Sequence, residues 1–118
     1  MGKDNIIKDK SFAFAIRIVN LYKYLGEQKE FVLSKQLLRS GTSIGALYRE
    51  AEHAESRADF IHKLAIAQKE ANETMYWLEL LHQTDYLSTE QFQSIHHDAA
   101  ELYKLVTSIL VTTKKNIV

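Results

Sequence analysis

The chain has 118 residues, with 15 basic groups balanced by 15 acidic ones, five histidines, no cysteine and no proline. That length suits one domain with its own core and leaves no room for a second catalytic domain, while 46% apolar and 25% charged residues exclude a disordered tail and a membrane bundle. The charge balance removes any overall field toward nucleic acid or an anionic membrane, and the lack of cysteine excludes disulfides, thiolate metal sites and a thiol nucleophile.

The start, Met1-Gly2-Lys3-Asp4-Asn5, lacks the layout of a signal peptide, and no apolar run approaches the roughly 18 residues of a membrane span. A cytoplasmic protein is the expectation. With no proline and four glycines, the chain has few helix breakers and little hairpin chemistry, which favours helices throughout.

The first helix is predicted over 8–25, closed by Gly26, the residue that best tolerates a left-handed conformation beyond a helix end. Its apolar residues run from Phe12 through Phe14, Ile16, Ile18, Val19 and Leu21 to Leu25. At 100° per residue they sweep an arc of about 220°, roughly twice what a bundle core needs. A monomer would leave a large patch exposed, so a homo-oligomer is expected, with Phe14, Ile18, Leu21 and Leu25 as its contact.

The second helix is predicted over 31–54, with Leu37, Gly41, Ile44, Tyr48 and Ala51 recurring at spacings of four and three. Within it, Gly41-Thr42-Ser43-Ile44-Gly45 matches the G-x-S-x-G nucleophile elbow. That elbow needs a sharp turn from strand to helix, whereas helical periodicity runs straight through this segment. The structural reading therefore prevails: Gly41 and Gly45 share a helix side and let another backbone approach closely. On the side away from the apolar stripe, Lys35, Arg39 and Arg49 fall within about 80° and form a candidate phosphate-contacting strip, although Glu50 shares that face, as in an ordinary solvated surface. Residues 1–29 carry six basic and three acidic groups and offer the other candidate for nucleic acid.

Ser56 with Asp59 resembles a capping box and predicts a third helix over 57–84, with Phe60, Leu64, Ala67, Ala71, Leu78 and Leu81 on one face. Ser88 and Gln91 can cap one another while Leu87 packs on Phe92, which predicts a fourth helix over 89–113. Ile95, Ala99, Leu102, Val106 and Ile109 keep an unbroken three-four alternation along it, and Lys114 to Val118 are expected to fray. Four helices with short connections make an all-α, antiparallel, up-and-down, left-handed four-helix bundle, one domain over 1–118.

Glu50-x-x-His53 and Glu79-x-x-His82 have the spacing of di-iron ligands in bundle cores. In antiparallel helices the two motifs stand roughly 40 Å apart and cannot share a metal. His82 and His96 can meet, but two imidazoles alone make a weak site, and His62 and His97 read as surface residues. No catalytic, cofactor or metal residue is expected.

The run Leu38-Arg39-Ser40-Gly41-Thr42-Ser43-Ile44-Gly45-Ala46, then Arg49-Glu50-Ala51 and Ala54-Glu55-Ser56, resembles the small bacterial four helix bundle protein family. Asp59-Phe60-Ile61-His62-Lys63-Leu64, Ile66-Ala67, Lys69-Glu70-Ala71-Asn72-Glu73-Thr74 and Tyr76-Trp77-Leu78-Glu79-Leu80-Leu81 are similar to its third helix. Where relatives commonly read Gly-Ala-Asn-Ile, this chain reads Gly45-Ala46-Leu47-Tyr48. The family includes proteins encoded in intervening sequences of large-subunit ribosomal RNA genes, historically named as ribosomal proteins, and accessory variability proteins of diversity-generating retroelements. The resemblance implies a homopentamer without catalysis.

The leading expectation is thus a non-enzymatic oligomeric scaffold that binds RNA, DNA or a protein partner, with no membrane and no small-molecule substrate. A retroelement accessory protein binding nucleic acid is the alternative, followed by a metal-binding or catalytic bundle.

Overall fold

In each quarter of the chain one three-four alternation picks out the residues that must leave water. Ile7, Ser11, Phe14, Ile18 and Leu25 form the first such seam, and Ser34, Leu37, Gly41, Ile44, Tyr48 and Ala51 the second. Leu64, Ala67, Ala71, Thr74, Leu78 and Leu81 form the third, and Ile95, Ala99, Leu102, Val106 and Ile109 the fourth. All are buried. This is the spacing that keeps one narrow side of a helix against its neighbours over many turns.

The computed structural model describes residues 3–115. They form four helices: α1 (Lys3–Glu27), α2 (Leu33–Glu52), α3 (Arg57–Gln83) and α4 (Thr89–Lys115). Each packs on its neighbours in sequence, α4 closes back on α1, and the diagonal pairs do not meet. The up-and-down bundle measures 50 × 22 × 22 Å. One end carries the connections 28–32 and 84–88; the other carries 53–56 together with the first residues of α1 and the last of α4.

Helix α1 begins five residues earlier than the sequence predicts, because Ile7 extends the buried seam by a turn. Helix α2 is shorter at both ends, which leaves Phe31 and Val32 outside it and exposed. Of the segment expected to fray, Lys114 and Lys115 are still helical, and 116–118 lie outside the described residues, as do Met1 and Gly2.

Gly26 does not close α1. It lies inside the helix, and the left-handed residue is Lys29, with φ 64°. The Lys29 N–H donates to the Gly26 carbonyl and the Glu30 N–H to the Leu25 carbonyl, both at 2.9 Å, which is the Schellman pattern. Asp85, with φ 70°, closes α3 in the same way, with the Tyr86 N–H reaching the Leu81 carbonyl at 2.9 Å.

A non-glycine residue is strained in this conformation, and at Lys29 the strain has a structural return. It turns Glu30 inward, where the carboxylate accepts from the N–H groups of Val32 (3.2 Å), Leu33 (2.8 Å) and Ser34 (2.7 Å). These are donors at the head of α2 that no preceding turn can satisfy. Val32, at the N-cap position, offers no side-chain cap. Burial by itself pushes the Glu30 carboxyl up, but the N–H donors of Leu33, Ser34 and Val32 together outweigh it and hold the group below the usual carboxylate range.

The other helix starts use conventional chemistry. The Asp59 N–H donates to Ser56 Oγ at 3.0 Å, while the short Asp59 side chain reaches back to the Glu55 N–H (3.3 Å) rather than to that of Ser56. Ser88 and Gln91 cap each other reciprocally at 2.9 and 3.1 Å, with Leu87 buried beside them.

Replacing Glu30 with alanine should lower stability by about 2 kcal/mol at neutral pH, the cost of a lost cap and of unpaired helix-end donors. Because the folded carboxyl is held low, its contribution is complete above the ordinary carboxylate range and is lost as pH falls through the folded value. Urea unfolding of both proteins at pH 7 and in strong acid checks this, and a difference that does not shrink in acid contradicts it.

Candidate functional site

The tightest approach between helices lies at α1 and α2. A Cβ built on Gly41 would stand 2.8 Å from Ile18 Cγ1 and 3.0 Å from its Cδ1 and Cγ2. One on Gly45 would stand 3.1 Å from Ser11 Oγ and 3.4 Å from the Ser11 carbonyl carbon. Ile18 and Ser11 are themselves buried, so neither side chain can swing clear. Between the glycines the helix is continuous: Ser43 donates its hydroxyl to the Ser40 carbonyl (2.8 Å) and Thr42 donates to that of Leu38 (2.7 Å). Ser43 is therefore a mid-helix serine with its proton engaged, and the strand-to-helix turn of a nucleophile elbow is absent from its surroundings.

This approach fixes the rotation of α1 and corrects the contact residues expected from sequence. Phe14, Ile18 and Leu25 lie in the chain's own core, with Ile18 and Leu25 at 0% exposure, so they cannot form an outer contact. Leu21 is half-buried and lines a groove. The wide apolar arc divides into an inner seam and an outer stripe of Phe12 (53% exposed), Ile16 (50%) and Val19. Beside the stripe, a groove of about 250 Å³ runs between α1 and α2, lined by Ala15, Thr42, Gly45 and Ala46. On the far side of α1, an open groove of about 490 Å³ lies against α4, floored by Leu21, Leu87 and Ile95.

The basic strip is also corrected. Arg39 is not free for phosphate: its guanidinium contacts Glu70 Oε1 (3.2 Å) and Oε2 (3.1 Å) and makes a further ion pair with Glu73. Glu73 also accepts from Trp77 Nε1 at 2.8 Å. Arg49 stacks over Phe12, 5.1 Å from the ring centre, and Lys35 is exposed. The three do not form one free cationic strip. Elsewhere Arg17 pairs with Asp98 (2.6 Å), Lys10 with Glu101 (3.0 Å), Lys8 with Glu52 (3.3 Å) and Lys63 with Glu50 (3.1 Å).

His82 and His96 do approach one another, but Phe92 lies between them. Its ring stacks on His82 at 4.5 Å and tilts against His96 at 4.9 Å, and the second imidazole stands 3.9 Å from Glu79. Among the described residues, no group of three or more His, Asp or Glu side chains is placed to hold a metal ion, and no helix is long and apolar enough to cross a membrane.

A family model described as 23S rRNA-intervening sequence protein matches residues 3–108. Among solved structures, one of a protein of unknown function from the S23 ribosomal protein family from Bacteroides thetaiotaomicron is 68% identical. It covers 92% of this chain and 97% of its own, with a TM-score of 0.90. No curated protein matches.

Gly41 and Gly26 should respond in opposite ways to a side chain. Gly41→Leu should cost about 3 kcal/mol or more by overpacking on Ile18. Gly26 has nothing within 4 Å of its would-be Cβ, and Gly26→Ala should add up to about 1 kcal/mol through helix propensity. Denaturant midpoints compare the two; equal responses would reject the close approach.

Proposed function

Because this chain belongs to the 23S rRNA-intervening sequence protein family, we propose that it acts as a non-enzymatic scaffold of the cytoplasm that assembles with copies of itself. The observation that carries this reading is the second apolar stripe of α1. Phe12, Ile16 and Val19 recur at spacings of four and three on a helix whose inner seam is already complete, and they stand in water. A helix at the surface of a monomer needs one apolar face, and a second one in a contiguous patch marks a contact.

Another copy of the chain is the partner the surface suits best. The neighbouring groove has small residues, Ala15, Thr42, Gly45 and Ala46, between Phe12 and Arg49, and the small residues let a helix lie close. The charge pattern weighs against a polyphosphate partner, since Arg17, Arg39, Lys8, Lys10 and Lys63 are each occupied by a carboxylate. Closed symmetry is the usual way for identical chains to cover such a stripe, and five is the number that the family resemblance implies.

Size exclusion with light scattering tests this. The expected mass is a multiple of the 13.6 kDa chain, and Phe12→Ser with Ile16→Ser should reduce it toward a single copy without loss of helix, since both side chains are already exposed. A wild-type mass of one chain at micromolar concentration rejects the reading.

A further inference from the structure

Three neighbouring apolar side chains on α1 make a small contact by the standard of stable protein interfaces, which take roughly 800 Å² from each partner. A second area is needed, and the end of the bundle that carries connections 28–32 and 84–88 supplies both halves of one. Phe31 is 58% exposed and Val32 73%, the two most exposed large apolar side chains among the described residues. They are held stiffly in place. On one side Lys29 is fixed in the left-handed turn, and on the other the Glu30 carboxylate holds the backbone N–H groups of Val32, Leu33 and Ser34. A solvated turn is ordinarily built of polar residues; this one displays a rigid apolar knob.

The open groove between α1 and α4 lies at the same end. Its lining comes from the last turns of α1, the connection 84–88 and the first turns of α4: Leu21, Leu87 and Ile95 are its apolar residues, joined by Tyr24, Glu90 and Ser94. At about 490 Å³ it has room for more than one side chain. The geometry points to the Phe31–Val32 knob of one copy seated in this groove of the next, an inference that rests on the self-assembly proposed above.

Three features support the match. An apolar floor meets an apolar knob, and Tyr24 gives the Phe31 ring an aromatic neighbour. Lys29 beside the knob and Glu90 at the rim are exposed and of opposite charge, and among the described residues neither has an ion-pair partner of its own. Knob and groove also lie toward the same end of the bundle. Because knob and groove are different surfaces, copies joined this way follow one another head to tail, a contact that closes into a ring where the rotation between copies permits. The outer stripe and the groove lie on different sides of α1, so each copy would use two separate areas of that helix.

The lack of native cysteine makes the test direct. Val32→Cys and Ser94→Cys are prepared separately, mixed in the assembled state, and oxidised mildly. The expected result is a disulfide joining the two different variants, with neither variant cross-linking by itself. Phe31→Asp should raise the dissociation constant of the assembly about tenfold or more while leaving the helical signal unchanged. An assembly in which Val32→Cys links only to itself, or in which no 32–94 bond forms and Phe31→Asp assembles normally, overturns the knob-in-groove contact while leaving self-assembly intact. A single-chain mass for the wild type removes both.

Discussion

Ile18 lies so close to α2 that only a hydrogen can occupy the position opposite it, and the outward surface of the molecule follows from that contact. With Gly41 facing Ile18 and Gly45 facing Ser11, α1 has one rotation about its axis that avoids collision. That rotation directs Ile7, Phe14, Ile18 and Leu25 inward and leaves Phe12, Ile16 and Val19 in solvent. Each interior glycine lowers helix propensity by about 1 kcal/mol relative to alanine, which packing at close range has to offset. The exposed stripe and the groove beside it are therefore two consequences of one close approach.

The end of the bundle bearing two connections is ordered by a different principle. Glu30 is buried and charged, which is tolerable only because its carboxylate meets several N–H groups that would otherwise lack partners. The arrangement needs the chain to reverse sharply just before it, so a lysine takes the left-handed conformation usually given to glycine. The local strain and the buried charge support one another. Their product is a stiff connection that holds Phe31 and Val32 outside the core.

Charged side chains on this surface mainly join helices. Lys8–Glu52 connects α1 to α2, Arg17–Asp98 and Lys10–Glu101 connect α1 to α4, and Arg39 with Glu70 and Glu73 connects α2 to α3. Exposed pairs of this kind contribute roughly 0–1 kcal/mol each. Their greater effect is on recognition, because a guanidinium already held by two carboxylates attracts phosphate poorly. Inside, Thr74 donates to Ser40 Oγ at 3.1 Å and Ser40 donates to the Gln36 carbonyl at 3.0 Å, a buried polar contact between α2 and α3. Each hydroxyl also has a carbonyl of its own helix within reach, Gln36 for Ser40 and Glu70 for Thr74, so a one-residue slip would break only the contact between them, and that contact favours the observed register modestly.

The sequence by itself determined the helices, their order and the caps that open α3 and α4, since these rest on spacing and on groups a few residues apart. The three-four alternation, the Ser88–Gln91 box and the glycine pair of α2 are all legible at that range. The role of Glu30 is not legible in the sequence because its partners become free donors only once α2 begins at Leu33, and periodicity alone extends that helix over Phe31 and Val32. On α1 the apolar arc was evident, yet its division was not: periodicity gives the width of a face, whereas the neighbour's shape decides which part of it is buried. The tertiary structure alone assigned Phe14, Ile18 and Leu25 to the core and Phe12, Ile16 and Val19 to the surface, and turned Arg39 toward Glu70 and Glu73. Contacts between helices depend on the axial and rotational setting of two rigid cylinders, and no local pattern within either one encodes that setting.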